Sequence, residues 1–151
     1  MTAKPRIEDE EILRLYASGV RDFTGYKIRT NQIVNTSLSG VDFSGQDLSE
    51  SELGGIDLSG ANLSGAIMNQ TCLDGANLSG ANLTGSILAW ATLRRANLTD
   101  ANLTGAYLRD AEIVKSNLTN TILFECDIEG TWLKENIYRN TTWIDGTIRN
   151  E

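Results

Sequence analysis

The sequence contains no histidine, one proline and two cysteines in 151 residues. Histidine is the commonest general base and metal ligand at neutral pH, and the sequence also has no glycine-rich phosphate motif and no nucleophile motif. Cys72 and Cys126 do not make a disulfide framework, and their spacing fits no zinc motif. We therefore expect a protein that is not an enzyme and has no catalytic residues, no cofactor and no metal site.

Positive charge and long apolar segments are also scarce. The chain has 13 Lys and Arg against 20 Asp and Glu, which gives a net charge of −7 and disfavours nucleic acid as a direct ligand. No segment approaches the roughly 18 uncharged residues that would span a membrane, and the first residues, MTAKPRIEDEE, contain no apolar run. These properties predict a soluble, cytoplasmic protein with no membrane contact.

What the sequence does contain is a period of five. Large apolar residues occupy every fifth position from Phe23 to Ile148, 26 positions in one phase. In the middle of the chain, the residue two positions before each of these centres is small and mostly alanine. The residue two positions after a centre is often glycine. A period of five fits neither a helix nor an isolated strand. It predicts a solenoid in which centres and small residues face inward and glycine marks a repeated bend.

The units ANLSG, ANLTG, ANLTD and ATLRR resemble the A(D/N)LXX pattern of the pentapeptide-repeat family. The resemblance covers residues 21–150. It implies an all-β solenoid, a right-handed quadrilateral parallel β-helix of about six and a half coils. Residues 20 apart would then stack, so Asn62, Asn82 and Asn102 should form one amide ladder and Asn77, Asn97 and Asn117 another. In this register Cys72 faces outward and Cys126 inward, too far apart for a disulfide.

Both ends of such a stack need covering. Residues 1–20 are expected to form an N-terminal tail and a short capping α-helix, with Ile12, Leu13 and Tyr16 on one face. The C-terminal coil, about residues 131–150, loses the small residues and has Tyr138 and Trp143 as centres. These aromatic residues either plug the last coil or form a dimer surface, as in gyrase-inhibiting members of the family, so both a monomer and a homodimer remain open.

One outward column is unusual. It runs Asp47, Ile67, Ile87, Tyr107, Asp127, whereas most other outward columns are polar. Isolated surface apolar residues are ordinary, but three in one column beside arginine and tryptophan are typical of a protein-binding hot spot. The candidate partner-binding residues are Ile67, Ile87, Trp90, Tyr107, Arg94, Arg95 and Arg109.

An acidic segment offers an alternative. Six acids and no Lys or Arg lie between residues 30 and 93, and some pentapeptide-repeat proteins are acidic DNA mimics that bind a type II topoisomerase, gyrase, and modulate or protect it. Here the acids are concentrated in a short stretch and the unbroken phase leaves no projecting loops. We therefore favour a non-enzymatic scaffold or adaptor with an unidentified protein partner, and keep the DNA mimic as the alternative. The acids concerned are Asp42, Asp47, Glu50, Glu52, Asp57 and Asp74.

Overall fold

The computed structural model describes residues 3–151. Its helix and strands are β1 (Arg6–Glu8), α1 (Asp9–Ala17), β2 (Lys27–Arg29), β3 (Glu112–Val114), β4 (Trp132–Lys134), β5 (Thr141–Thr142) and β6 (Ile148–Arg149). From β2 to β3 the chain alternates single-residue β-bridges with turns. The helix has nine residues, and within the described part of the chain no helix is long and apolar enough to cross a membrane.

Residues 20 positions apart pair in parallel along the stack. Asn62 bridges to Asn82, and Asn82 to Asn102. Backbone hydrogen bonds join the same levels, as where the Leu78 N–H donates to the Asn97 carbonyl at 2.8 Å. Each 20-residue level, which we call a coil, therefore pairs with its neighbours through ladder bonds. The chain is a parallel β-solenoid, as its period predicts.

Four corners divide each coil into four sides. From Asn35 to Asn140 every fifth residue has a positive φ, whether or not it is glycine. The predicted bend at this position is therefore confirmed, and the left-handed backbone there closes a tight turn. We name the sides by their centres: side A has Leu63, Leu83 and Leu103; side B has Met68, Leu88 and Leu108; side C has Leu73, Leu93 and Ile113; and side D has Leu78, Leu98 and Leu118.

The core fills the bore of the coil. Every centre from Phe23 to Leu123 is buried, and so are the alanines that precede the middle centres. The predicted amide ladders form in part. Asn97 Nδ2 donates to Asn77 Oδ1 at 3.0 Å on side D, and Asn82 Nδ2 donates to Asn62 Oδ1 at 3.4 Å on side A, whereas among the described residues Asn117 and Asn102 are joined to the asparagines below them by backbone bridges alone. Cys126 is buried, Cys72 is partly exposed, and both thiols are free. Burial raises the pKa of Cys126 to about 11.

The N-terminal end carries one strand that the sequence did not reveal. β1 pairs in parallel with β2, and Ile7 lies beside Ile28. Next, α1 buries Ile12 completely, and the Asp9 carboxylate accepts the Gln32 N–H at 3.1 Å. Three residues following Pro5 show no period, which is why β1 escaped prediction. Of the predicted tail, residues 1–2 lie outside the described residues.

At the C-terminal end the five-residue period continues in the sequence to Ile148, but the structural repeat ends earlier. β5 and β6 pair antiparallel, so Ile148 is 52% exposed and its predicted role as an inward centre is wrong. Trp143 is buried at 8% exposure, contacts the Tyr138 ring edge-on at 5.9 Å and lies under the Arg149 guanidinium at 3.5 Å. A hairpin here satisfies the backbone of the last coil, whereas a further parallel turn would leave another open edge.

Candidate protein-binding surface

The unusual column lies on side B. Ile67 bridges to Ile87 and Ile87 to Tyr107, so the three residues stack as the 20-residue spacing predicts. Ile67 and Ile87 are half-buried, whereas Tyr107 is 52% exposed and Trp90, at the corner between sides B and C, is 58% exposed. We call Ile67, Ile87, Trp90 and Tyr107 the apolar patch. The patch covers three successive coils of one side.

Trp90 occupies a backbone conformation that suits it poorly. Its φ is +57°, as is that of Gln70 one coil below, and a bulky residue in the left-handed region is uncommon. The Trp90 N–H nevertheless donates to the Arg109 carbonyl at 3.0 Å, so the ladder continues through this corner. The corner therefore fixes the backbone and directs the indole outward.

Arg109 lies on side B next to the patch, but it is already paired. Its Nε contacts Asp127 Oδ2 at 2.6 Å and its Nη2 contacts Glu129 Oε2 at 2.9 Å. The hydrogen bond from Arg109 lowers the pKa of Asp127 below its usual range. These pairs are exposed and contribute little to stability, but they hold the guanidinium in one place at the rim of the patch.

The other two predicted arginines lie elsewhere. Arg94 is on side C, where its Nε contacts Glu112 at 2.6 Å and its Nη1 lies 3.6 Å from Asp74. Arg95 is at the corner between sides C and D, one full side away from Trp90. Together with Lys115 these arginines line a shallow groove of about 500 Å³. The structure therefore joins only Arg109 to the apolar patch and places Arg94 and Arg95 around a separate basic groove.

Further exposed apolar residues lie in the last coils and were missed from sequence. They continue columns that are polar lower in the stack, since Asn102 is followed by Ile122 and Asn117 by Ile137. Reading each column up to its final residue would have found them. They lie on sides A, C and D: Ile122, Phe124, Trp132 and Ile137.

The acidic residues do not form one face. A spacing of five moves each acid to the next side, so Asp42, Asp47, Glu52 and Asp57 lie on sides A, B, C and D of the stack. Some of these carboxylates also form hydrogen bonds within and between coils. Asp57, for example, accepts hydrogen bonds from Ser59 N–H at 3.0 Å and from Asn77 Nδ2 one coil above at 3.1 Å. The predicted acidic segment is a ring around the stack.

Comparison with known proteins agrees with this geometry. A family model described as pentapeptide repeats matches residues 36–75, 68–100 and 101–135 with eight copies, and a search of curated proteins gives no match. The solved pentapeptide repeat protein Rfr23 from the cyanobacterium Cyanothece 51142 is 28% identical, with 89% of this chain and 97% of that chain covered and a TM-score of 0.61.

Two further solved structures are similar. A trypsin-treated form of QnrB1, a plasmid-mediated fluoroquinolone resistance protein, is 23% identical over 73% of this chain and 61% of its own, with a TM-score of 0.55. The pentapeptide repeat protein alr5209 from Nostoc Pcc 7120 is 32% identical over 74% of this chain and 84% of its own, with a TM-score of 0.40. The bridges every 20 residues, the left-handed corners and the family match over most of the chain lead to one conclusion: this chain belongs to the pentapeptide-repeat family.

Proposed function

We propose that this chain is a non-enzymatic, cytoplasmic scaffold that binds another protein through the apolar patch of side B. The observation that carries the proposal is the exposure of Trp90 and Tyr107, at 58% and 52%, beside two stacked isoleucines. The same positions on side D hold a ladder of asparagines. In this proposal the scaffold is a right-handed, four-sided stack of about six and a half coils, capped by α1.

Burial of the patch would supply the binding free energy. An aromatic side chain buries ~150–250 Å² when it is fully covered. At ~25 cal/mol per Å², covering the exposed halves of Trp90 and Tyr107 gives a few kcal/mol before the costs of association are subtracted. Trp, Tyr and Arg are the residues enriched at hot spots. Arg109, held by Asp127 and Glu129, adds an oriented donor at the rim.

A capture experiment tests the proposal. We expect the double variant Ile87→Asp with Trp90→Ala to keep nearly the wild-type melting temperature, because both side chains point away from the core. It should fail to capture the main protein that wild type retains from an extract of the cells that produce it. Ser79→Asp, on the opposite side D, is the matched control and should capture normally. If the double variant captures this protein as well as wild type does, the apolar patch is not the binding surface.

The alternative, an acidic DNA mimic that binds gyrase, lacks a single acidic face because the acids ring the stack. The likeness to QnrB1, at 23% identity, is a likeness of fold. We expect the purified protein at micromolar concentration to leave supercoiling by gyrase unchanged. Inhibition of supercoiling, or protection of gyrase from a fluoroquinolone, would favour the mimic over the scaffold.

A further inference from the structure

The ladder of side B is interrupted at its first step. On side D the corresponding step has three backbone bonds, Asp57 N–H to Thr36 O, Leu38 N–H to Asp57 O and Gly40 N–H to Ser59 O, each at 2.8 Å. On side B the counterparts would join Asp47 N–H to Tyr26 O, Ile28 N–H to Asp47 O and Thr30 N–H to Ser49 O. Within residues 3–151 none of these three bonds forms, and Lys27 and Asp47 do not bridge.

Gln46 accounts for the interruption. It occupies the small, inward position and is buried. Its Nε2 donates to the Tyr26 carbonyl at 3.2 Å and to the Phe23 carbonyl at 3.1 Å. The amide group therefore competes for the acceptor that the Asp47 N–H would use and stands between the two coils. One coil above, the position is Ala66 and the ladder is regular, since the Ile67 N–H donates to the Gln46 carbonyl at 2.9 Å.

The separated coils leave a cleft of about 520 Å³ between residues 27–31 and 46–50. It continues toward the corner with side A as a second opening of about 470 Å³, which shares Lys27, Gln46 and Asp47. Thr30 lines the cleft and is only 7% exposed, yet its Oγ1 has no hydrogen-bond partner among the described residues. A buried hydroxyl without a partner is costly, so the first step of side B is less well satisfied than the regular steps above it.

The cleft presents both hydrogen-bond donors and hydrogen-bond acceptors of the backbone, and this combination indicates what kind of ligand it binds. Both lips are strand edges, with the N–H groups of Ile28, Thr30 and Asp47 and the carbonyls of Asp47 and Ser49 available. A simple anion would satisfy the donors and leave the carbonyls unpaired, whereas an extended backbone offers both kinds of group to both lips. Lys27 and Arg29 flank one lip with Arg6 behind them, and Asp47 and Glu50 lie on the other lip. The lining therefore has three cationic and two anionic side chains, so an acidic side chain of the occupant is favoured beside the basic lip.

We propose that this cleft binds an extended polypeptide segment, which inserts as an additional parallel or antiparallel strand between two coils and places an acidic side chain beside Lys27 and Arg29. The cleft shares no residue with the apolar patch, although its Asp47 bridges to Ile67 one coil above. The double variant Ile87→Asp with Trp90→Ala should therefore bind the same segments as wild type, so that failure of one proposal is distinguishable from failure of the other.

A displayed library of random heptapeptides, selected on the full chain and counter-selected on Gln46→Ala, tests the proposal. Alanine frees the Tyr26 carbonyl for the Asp47 N–H and should close the cleft, so slower hydrogen exchange of the Asp47 amide checks that the variant behaves as intended. We expect acidic peptides to be enriched on wild type. In ¹H–¹⁵N spectra, a synthetic peptide with an enriched sequence should shift the amide signals of Ile28, Thr30 and Asp47 in a saturable way. Its affinity for Gln46→Ala should be at least tenfold lower than its affinity for wild type.

A second variant guards against misfolding of the first. Lys27→Glu with Arg29→Glu changes only exposed side chains and should turn the selected preference from acidic to basic peptides, whereas Arg139→Glu on side D should leave it unchanged. Lack of enrichment, or enrichment equal on wild type and a closed Gln46→Ala variant, would overturn the proposal. Saturable shifts of the same amides with inorganic phosphate alone, without peptide enrichment, would assign the cleft to a small anion and overturn it as well.

Discussion

At the scale of single residues, the corner position is where this chain departs most from easy backbone geometry. Among residues 3–151, twelve residues other than glycine have a positive φ, including Glu50, Gln70, Trp90 and Arg95. The left-handed conformation costs a residue with a Cβ ~1–2 kcal/mol. Glycine at the same phase shows that the fold needs no side chain there. A tryptophan that is mostly exposed at such a corner therefore destabilises the backbone without packing in return, which fits a role in binding.

Asp57 gives a pH prediction at the same scale. Hydrogen bonds from Ser59, helped by Ser37 and Asn77, outweigh desolvation and lower the pKa of Asp57. A lowered folded-state pKa contributes stability above the unfolded-state pKa, and this contribution is lost as the pH falls through the folded-state pKa. When the pH is lowered from about 5 to about 2, the melting temperature of Asp57→Asn should therefore fall less than that of wild type. Parallel curves for wild type and Asp57→Asn would contradict this prediction.

At the scale of the five-residue unit, inside and outside differ sharply. Leu98 is fully buried, and the narrow bore cannot collapse easily, so Leu98→Ala should cost ~2–5 kcal/mol of the free energy of unfolding. Asn97 lies next to it but faces outward, where it donates to Asn77 and accepts the Thr99 N–H at 3.2 Å. Asn97→Ala should therefore cost only about 1 kcal/mol. Chemical denaturation measures both, and equal costs would contradict the burial pattern.

The regular units were predictable because all the information they need is local. A centre such as Leu78, the alanine before it and the glycine after it set side and corner within five residues. The ends were not predictable in this way. The pairing of β5 with β6 and of β1 with β2 depends on which strand edge is open, and the cleft depends on Gln46 competing for a carbonyl 20 residues away. The apolar column was readable from the sequence, but the ion pairs that fix Arg109 and the separate position of Arg95 required the fold.

At the scale of the whole molecule, the stack has four sides with different characters. Side D is an amide ladder in its middle coils, side C carries the basic groove, and side B carries the apolar patch above the cleft. The net charge of −7 is distributed around the stack, so it favours solubility over one acidic binding face. A rigid stack whose side B carries stacked apolar residues over three coils suits a partner that binds along several coils at once.

The most direct test of that role compares the affinity of the captured partner for two glycine variants in the same corner column. Trp90→Gly and Gln70→Gly both relieve a φ of +57°, so both should melt at or above the wild-type temperature. Only Trp90→Gly removes the indole, and we expect calorimetry to show its Kd raised at least ~10-fold, with Gln70→Gly close to wild type. Equal Kd values for the two variants would contradict the assignment of the apolar patch as the partner surface.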